Sequence, residues 1–150
     1  MRRTAIAVAS FTLAACGQSA VDVPSPSPSG AAADACQALS RALPDSVRGF
    51  GERKIVKDTD YVTAWGEDAL VVLKCGVERP AALTPSAEVL EVNSVDWLAE
   101  TFERGTVFTT SGRVAYVEVQ VPIELRPEAN VLVDLAQAIS EAVPLAEAEN

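Results

Sequence analysis

The stretch Tyr61–Val77, YVTAWGEDALVVLKCGV, decides the fold of this chain. Two runs rich in Val, Leu and aromatic residues, YVTAW at 61–65 and ALVVLKCGV at 69–77, flank the turn-compatible residues Gly66–Asp68. This pattern predicts a β-hairpin. Because the second run is almost continuously apolar, we expect a central strand that is covered on both faces.

A second hairpin is indicated by TVFTT at 106–110 and RVAYVEVQV at 113–121, which enclose a Ser-Gly pair. In the latter run Ala115 and every second residue to Val121 are apolar, as in a half-buried strand. Two further segments are less regular. KIVKD at 54–58 is a short candidate strand, and EVLEVNSVDWL at 88–98 is either a strand or a region with a helix beginning near Ser94.

Helical patterns precede and follow these strands. Asp34 is a plausible N-cap with Gln37 three residues later, and the helix is expected to run to about Leu43, before Pro44. The last helix is expected to begin at Pro127 or Asn130 and to end before Pro144, with an apolar stripe of Val131, Leu135, Ala138, Ile139 and Ala142. The prediction is an α+β fold in which an antiparallel sheet of about four to five strands carries the N-terminal and the C-terminal helix on one face.

The chain begins MRRTAIAVASFTLAAC, in which two arginines precede the short apolar core Thr4–Leu13 and the small residues before Cys16. A core of this length is too short to span a bilayer but fits a secretory signal. LAAC resembles the lipobox of bacterial lipoproteins, in which the Cys thiol is acylated and the signal is removed. The alternative is a chance cysteine behind an ordinary export signal. We expect residues 1–15 to be a signal peptide and Cys16 to be the lipid attachment site, so that the protein lies on the outer face of the cytoplasmic membrane.

Residues 17–34 are rich in Pro, Ser, Gly and Ala, which is typical of a tether. Such a segment reaches roughly 23 Å if it is flexible and about 50 Å if it is fully extended as polyproline. The predicted organisation is therefore a signal peptide (1–15), a lipidated cysteine with its tether (16–34), one domain (35–145) and a tail (146–150).

Cys36 and Cys75 remain when Cys16 is acylated. Outside the cytoplasm such a pair is read as a disulfide. Cys36 also shares a predicted helix face with Leu39 and Leu43, so it is expected to point toward the core. The alternative, a redox-active or metal-binding pair, would need closer spacing than these two cysteines have.

The amino-acid composition excludes several classes of partner and of reaction. The net charge of −9 makes nucleic acid an unsuitable partner. The chain contains no histidine, which excludes Ser-His-Asp and Cys-His catalysis and histidine-based zinc sites. Chemistry that uses carboxylates alone remains open, and Glu67 with Asp68 is an adjacent acidic pair, although acids in a turn are usually only solvated. We expect no catalytic residues, no metal and no cofactor.

A binding surface would draw on the large and planar side chains near strand ends. The candidates are Trp65, Arg79, Asp96, Trp97 and Arg113. The alternative is that the tryptophans fill the core and that the arginines form surface ion pairs with the many acids.

Five segments occur in this order behind the lipobox: CQALSRALPDSV, AWGEDALVVLKCGVERP, VNSVDWL, FTTSGRVAYVEVQVP and VLVDLAQAI. Together they resemble the small actinobacterial lipoproteins of domain-of-unknown-function family 3515, over about residues 35–143. The resemblance implies an exported, lipid-anchored domain with the cysteine pair and no known activity. Ser94 departs from the pattern, where a glycine would suit a tight turn.

Three functional hypotheses follow. The first is a binding or accessory module that engages another envelope protein or a small ligand. The second is a mainly structural envelope lipoprotein. The third is a hydrolase that uses carboxylates alone.

Overall fold

The computed structural model describes residues 19–57 and 59–147 as two helices and one antiparallel sheet. The helices are α1 (Gly30–Ala42) and α2 (Asn130–Ala142). The strands are β1 (Ser46–Val47), β2 (Phe50–Arg53), β3 (Val62–Trp65), β4 (Val71–Val77), β5 (Leu90–Val92), β6 (Val95–Phe102), β7 (Gly105–Thr110) and β8 (Tyr116–Pro122). The α+β class is confirmed.

The sheet has eight strands in the order β1-β2-β3-β4-β8-β7-β6-β5, so the expectation of four to five strands was wrong. Two strands, β1 and β2, lie in SVRGFGER at 46–53, where glycines and exposed polar residues conceal the strand pattern. The segment 88–98 is also split by a turn into β5 and the start of β6. Of the candidate strand KIVKD, the described residues 54–57 contribute one isolated bridge, from Ile55 to Val21.

The hairpin predicted from Tyr61–Val77 is confirmed as the pair β3–β4, with Trp65 opposite Val71. Strand β4 is central, because β3 and β8 flank it, and Val71, Val72 and Leu73 are all buried. The second hairpin is confirmed as β7–β8, although its connection runs from Ser111 to Ala115.

Helix α1 begins at Gly30, so the prediction that Asp34 caps it was wrong. Ala31, Ala32 and Ala33 extend it by about one turn because alanine has the highest helix propensity. Helix α2 begins at Asn130, which was one of the two predicted starts.

Both helices pack on one face of the sheet, the inner face, around the main apolar core. The predicted disulfide is confirmed there: Cys36 on α1 is bonded to Cys75 on β4, and both residues are buried. The opposite face, the outer face, carries a smaller cluster of Val23, Val62, Ala64 and Val72. Among the described helices none is long and apolar enough to cross a membrane.

Candidate functional site

The two tryptophans are core residues, because neither is exposed to solvent. The Trp65 indole N–H donates to the carbonyl oxygen of Pro44 at 3.0 Å, while Trp97 Nε1 has no partner among the described residues. Trp65 on β3 and Trp97 on β6 are four strand spacings apart, about 19 Å. They cannot serve as exposed anchors for a partner, and this corrects the interpretation that made them part of a contact surface.

Arg113 is also inside the protein, with only 7% of its surface exposed. Its Nη1 donates to the Val143 carbonyl oxygen at 2.6 Å, and its Nη2 donates to the Ser94 carbonyl oxygen at 2.9 Å. Burial lowers the pKa of the guanidinium, and the negative charge of Asp96 opposes this. The side chain therefore fastens the end of α2 to the turn between β5 and β6. This position agrees neither with the prediction that Arg113 belongs to a contact surface nor with the alternative of a surface ion pair.

Arg79 and Asp96 are the two predicted site residues that reach the surface. Arg79 donates to the Tyr116 hydroxyl at 3.1 Å and to the Leu83 carbonyl oxygen. By strand register Tyr116 and Asp96 lie on the outer face, on β8 and β6, about 10 Å apart. Arg79, Asp96 and Tyr116 thus share one end of the outer face, which we call the far end.

The opposite end of the outer face holds a groove that sequence reasoning missed. This outer groove has a volume of about 240 Å³ and is lined by Leu70, Phe102, Arg104, Val107, Gln120 and Pro122, among others. Phe102 is 58% exposed, at the end of β6. The only sequence signal for the outer groove was Phe102 itself, a phenylalanine directly before the turn residues Glu103 and Arg104.

Residues of the predicted tether cross the same face. Val21 forms a parallel bridge with Ile55, and Val23 is 8% exposed against the smaller cluster. A Cβ added at Gly76 would lie 2.5 Å from Pro28, so the chain is in close contact with β4 there. The segment Ser19–Pro28, which we call the N-terminal strap, is therefore part of the folded unit and not a free tether.

The acidic pair Glu67 and Asp68 lies at a second concavity of about 480 Å³, together with Glu52 and Phe50. All three carboxylates are in exposed residues. A general acid that works near neutral pH needs an environment that raises its pKa, such as an apolar pocket. At this second concavity, which we call the notch, the three carboxylates face solvent and not an apolar pocket.

Three site predictions concern a lipid, metals and cofactors. The lipid site at Cys16 lies outside the described residues. Within residues 19–57 and 59–147, no group of three or more Cys, Asp or Glu side chains is arranged to hold a metal ion. Cys36 and Cys75, the two cysteines among the described residues, are joined in the disulfide and carry no free thiol.

The chain matches the model of the family described as Protein of unknown function (DUF3515) over residues 3–148. Because this match spans nearly the whole chain, the protein belongs to that family. Neither the curated proteins nor the solved structures give a significant match.

Proposed function

We propose that this protein is an extracytoplasmic lipoprotein, attached to the outer face of the cytoplasmic membrane through Cys16, that serves as a binding or accessory module of the cell envelope. The observation that carries the proposal is the buried disulfide between Cys36 and Cys75. Structural disulfides persist in oxidising compartments and are rare in the cytosol. An apolar leader that ends in LAAC supports export and acylation of the same chain.

Binding is favoured over catalysis by the chemistry of the side chains. The sequence has no histidine for a nucleophile pair, and the acids of the notch are exposed. The far end, in contrast, presents a guanidinium, a phenol and a carboxylate on one face. Arg and Tyr are enriched at interface hot spots because they combine a planar apolar surface with directional hydrogen bonds.

The anchor is tested by Cys16→Ser in the producing bacterium, with Ala15→Gly as a control that keeps the cysteine and a small residue before it. The control is expected to stay in the membrane fraction, and mass spectrometry is expected to find an acylated N-terminal cysteine. The Ser variant is expected in the soluble fraction or as the unprocessed precursor. A Ser variant that is cleaved normally and still fractionates with membranes would exclude the lipoprotein proposal.

The binding module is tested with a photoreactive amino acid at Asp96 on the far end. The control carries it at Val133, which is 52% exposed on α2. Irradiation of intact cells is expected to give a discrete crosslinked protein, or a labelled small molecule, from position 96 and not from position 133. If neither position gives an adduct, the structural role becomes the better explanation.

A further inference from the structure

The end of the strap that leads back to Cys16 is firmly placed on the outer face. The Ser19 carbonyl oxygen accepts hydrogen bonds from Arg53 Nε at 3.1 Å and Nη2 at 2.7 Å. Val21 donates its N–H to the Lys54 carbonyl oxygen and accepts from the Val56 N–H, both at 2.9 Å. These contacts position Ser19 beside β2, on the same face as the outer groove.

The direction of the strap is set by its two ends. Val21 lies beside Ile55, and Pro28 lies against Gly76 near the end of β4. From Ser19 to Pro28 the strap thus runs toward the far end of the face. Ser19 is therefore the end of the strap that lies nearer to the outer groove.

The strand register gives the distance between β2, beside which Ser19 lies, and the wall of the outer groove. Arg53 pairs with Ala64, Ala64 with Val72, and Val72 with Gln120, so these residues form one row across the outer face. Leu70, a wall of the outer groove, precedes β4, which is two strand spacings or about 10 Å from β2. Cys16 is three residues before Ser19, and three residues of extended chain span at most about 10 Å.

We infer that the outer groove and Phe102 rest on the lipid surface that holds Cys16, so that the domain lies directly on the bilayer with its far end turned away. This inference rests on the proposed lipid anchor. A free tether of residues 17–34 would hold the domain anywhere within tens of ångströms of the membrane. The strap removes most of that freedom, because only Gly17 and Gln18 separate Cys16 from Ser19.

The chemistry of the groove suits this contact. Phe102 offers an exposed aromatic ring, and the walls at Leu70, Val107 and Pro122 are apolar. Arg104 can keep its guanidinium among the headgroups while its aliphatic stem covers apolar surface. The net charge of −9 opposes attraction to anionic lipid, so the short connection to Cys16 and apolar contact must maintain the orientation.

The test uses the acylated full-length protein in phosphatidylcholine vesicles, with an environment-sensitive fluorophore on Phe102→Cys. Val133→Cys, an exposed apolar position on the helical side of the molecule, is the matched control. We expect a blue shift of emission, and loss of fluorescence with spin-labelled lipid, at position 102 only. Equal responses at both positions, or none at either in vesicle-bound protein, would overturn the inference.

A second variant separates this result from the anchor itself. A Gly/Ser linker of about 12 residues inserted between Gln18 and Ser19 adds an r.m.s. reach of roughly 19 Å. We expect it to abolish the response at position 102 while the protein stays on the vesicles, whereas the same linker between Ala146 and Glu147 should leave the response unchanged. If the protein without an inserted linker binds the vesicles but gives no response at position 102, or if the linker after Gln18 leaves the response unchanged, the orientation is contradicted and the lipoprotein proposal stays intact. Unacylated protein that binds the vesicles as well as the acylated protein contradicts the lipid anchor, and with it the inference that rests on it.

Discussion

At the residue scale, the turn between β5 and β6 holds Ser94 in a backbone conformation that its side chain disfavours. Val92 pairs with Val95, which leaves Asn93 and Ser94 as a two-residue loop with φ values of 48° and 65°. Both φ values lie in the left-handed region, as the two central residues of a type I′ turn require. Asn tolerates this region well, whereas Ser does so at a cost. The tight turn is present even though the residue best suited to it is absent.

Ser94→Gly is therefore expected to raise the free energy of unfolding by about 1 kcal/mol, because glycine adopts positive φ without strain. The hydrogen bond from Arg113 is retained, since Ser94 accepts it through its backbone carbonyl oxygen. Equilibrium unfolding in urea measures the change, with Ser94→Ala as the control that keeps a Cβ. A Gly variant no more stable than the Ala variant would contradict this account.

Arg113 is the second residue whose role differs from its sequence interpretation. Arg113→Ala is expected to lower the free energy of unfolding by about 2–4 kcal/mol, because it leaves the carbonyl oxygens of buried Val143 and of Ser94 without their charged donor. Arg79→Ala is the matched control at an exposed arginine, with an expected loss of at most about 1 kcal/mol. Thermal and urea unfolding compare the two, and equal losses would argue against a structural role specific to Arg113.

At the scale of elements, the disulfide joins the two layers of the fold. It connects α1 to the central strand β4 across a sequence separation of 39 residues. In the unfolded chain this closes a long loop, and the chain-entropy relation then gives a stabilisation of about 4 kcal/mol. The double variant Cys36→Ala/Cys75→Ala is expected to lose that amount in urea unfolding. Reduction of the unmodified protein should produce a similar loss, and an unchanged midpoint in both experiments would contradict the prediction.

The strands themselves were predictable where one rule applied over several residues. Alternation in the segment that became β8 placed Val117, Val119 and Val121 on one common face, which in the structure is the inner face. Strands β1 and β2 lacked that signal because Gly49, Gly51 and exposed side chains interrupt it. Strand β2 forms because β3 offers it an edge to pair with, and β1 pairs with β2 in turn. An edge is a property of the sheet rather than of the local sequence.

At the scale of the whole molecule, the N-terminal strap completes the outer face. Val23 packs with Val62, Ala64 and Val72 in the smaller cluster. Val23→Ser is expected to lower the free energy of unfolding by about 1–2 kcal/mol, because it removes apolar side-chain surface from a buried position. Val133→Ser, at a residue that is 52% exposed, is expected to change it by less than about 0.5 kcal/mol. Similar effects of both substitutions would show that the strap is not packed in solution.

The candidate site could be predicted only in part. The disulfide was predictable because the export expected from the leader sequence and the number of cysteines constrain pairing without any knowledge of the fold. The presence of Trp and Arg suggested a contact surface, but residue type alone does not tell whether a side chain is buried or exposed. The structure assigns Trp65 and Trp97 to the core and Arg79 and Asp96 to the surface, because burial depends on which strand faces meet the helices.

The sequence by itself determined the α+β class, the two main hairpins, the cysteine pair and the absence of histidine chemistry. Each of these follows from local periodicity or from composition, which need no knowledge of distant contacts. Only the tertiary structure decided that eight strands form one sheet, that Arg113 is buried, and that the strap closes the outer face beside a groove. These features join residues far apart in the chain, such as Ser19 with Arg53 and Val21 with Ile55, and no local pattern encodes such pairings.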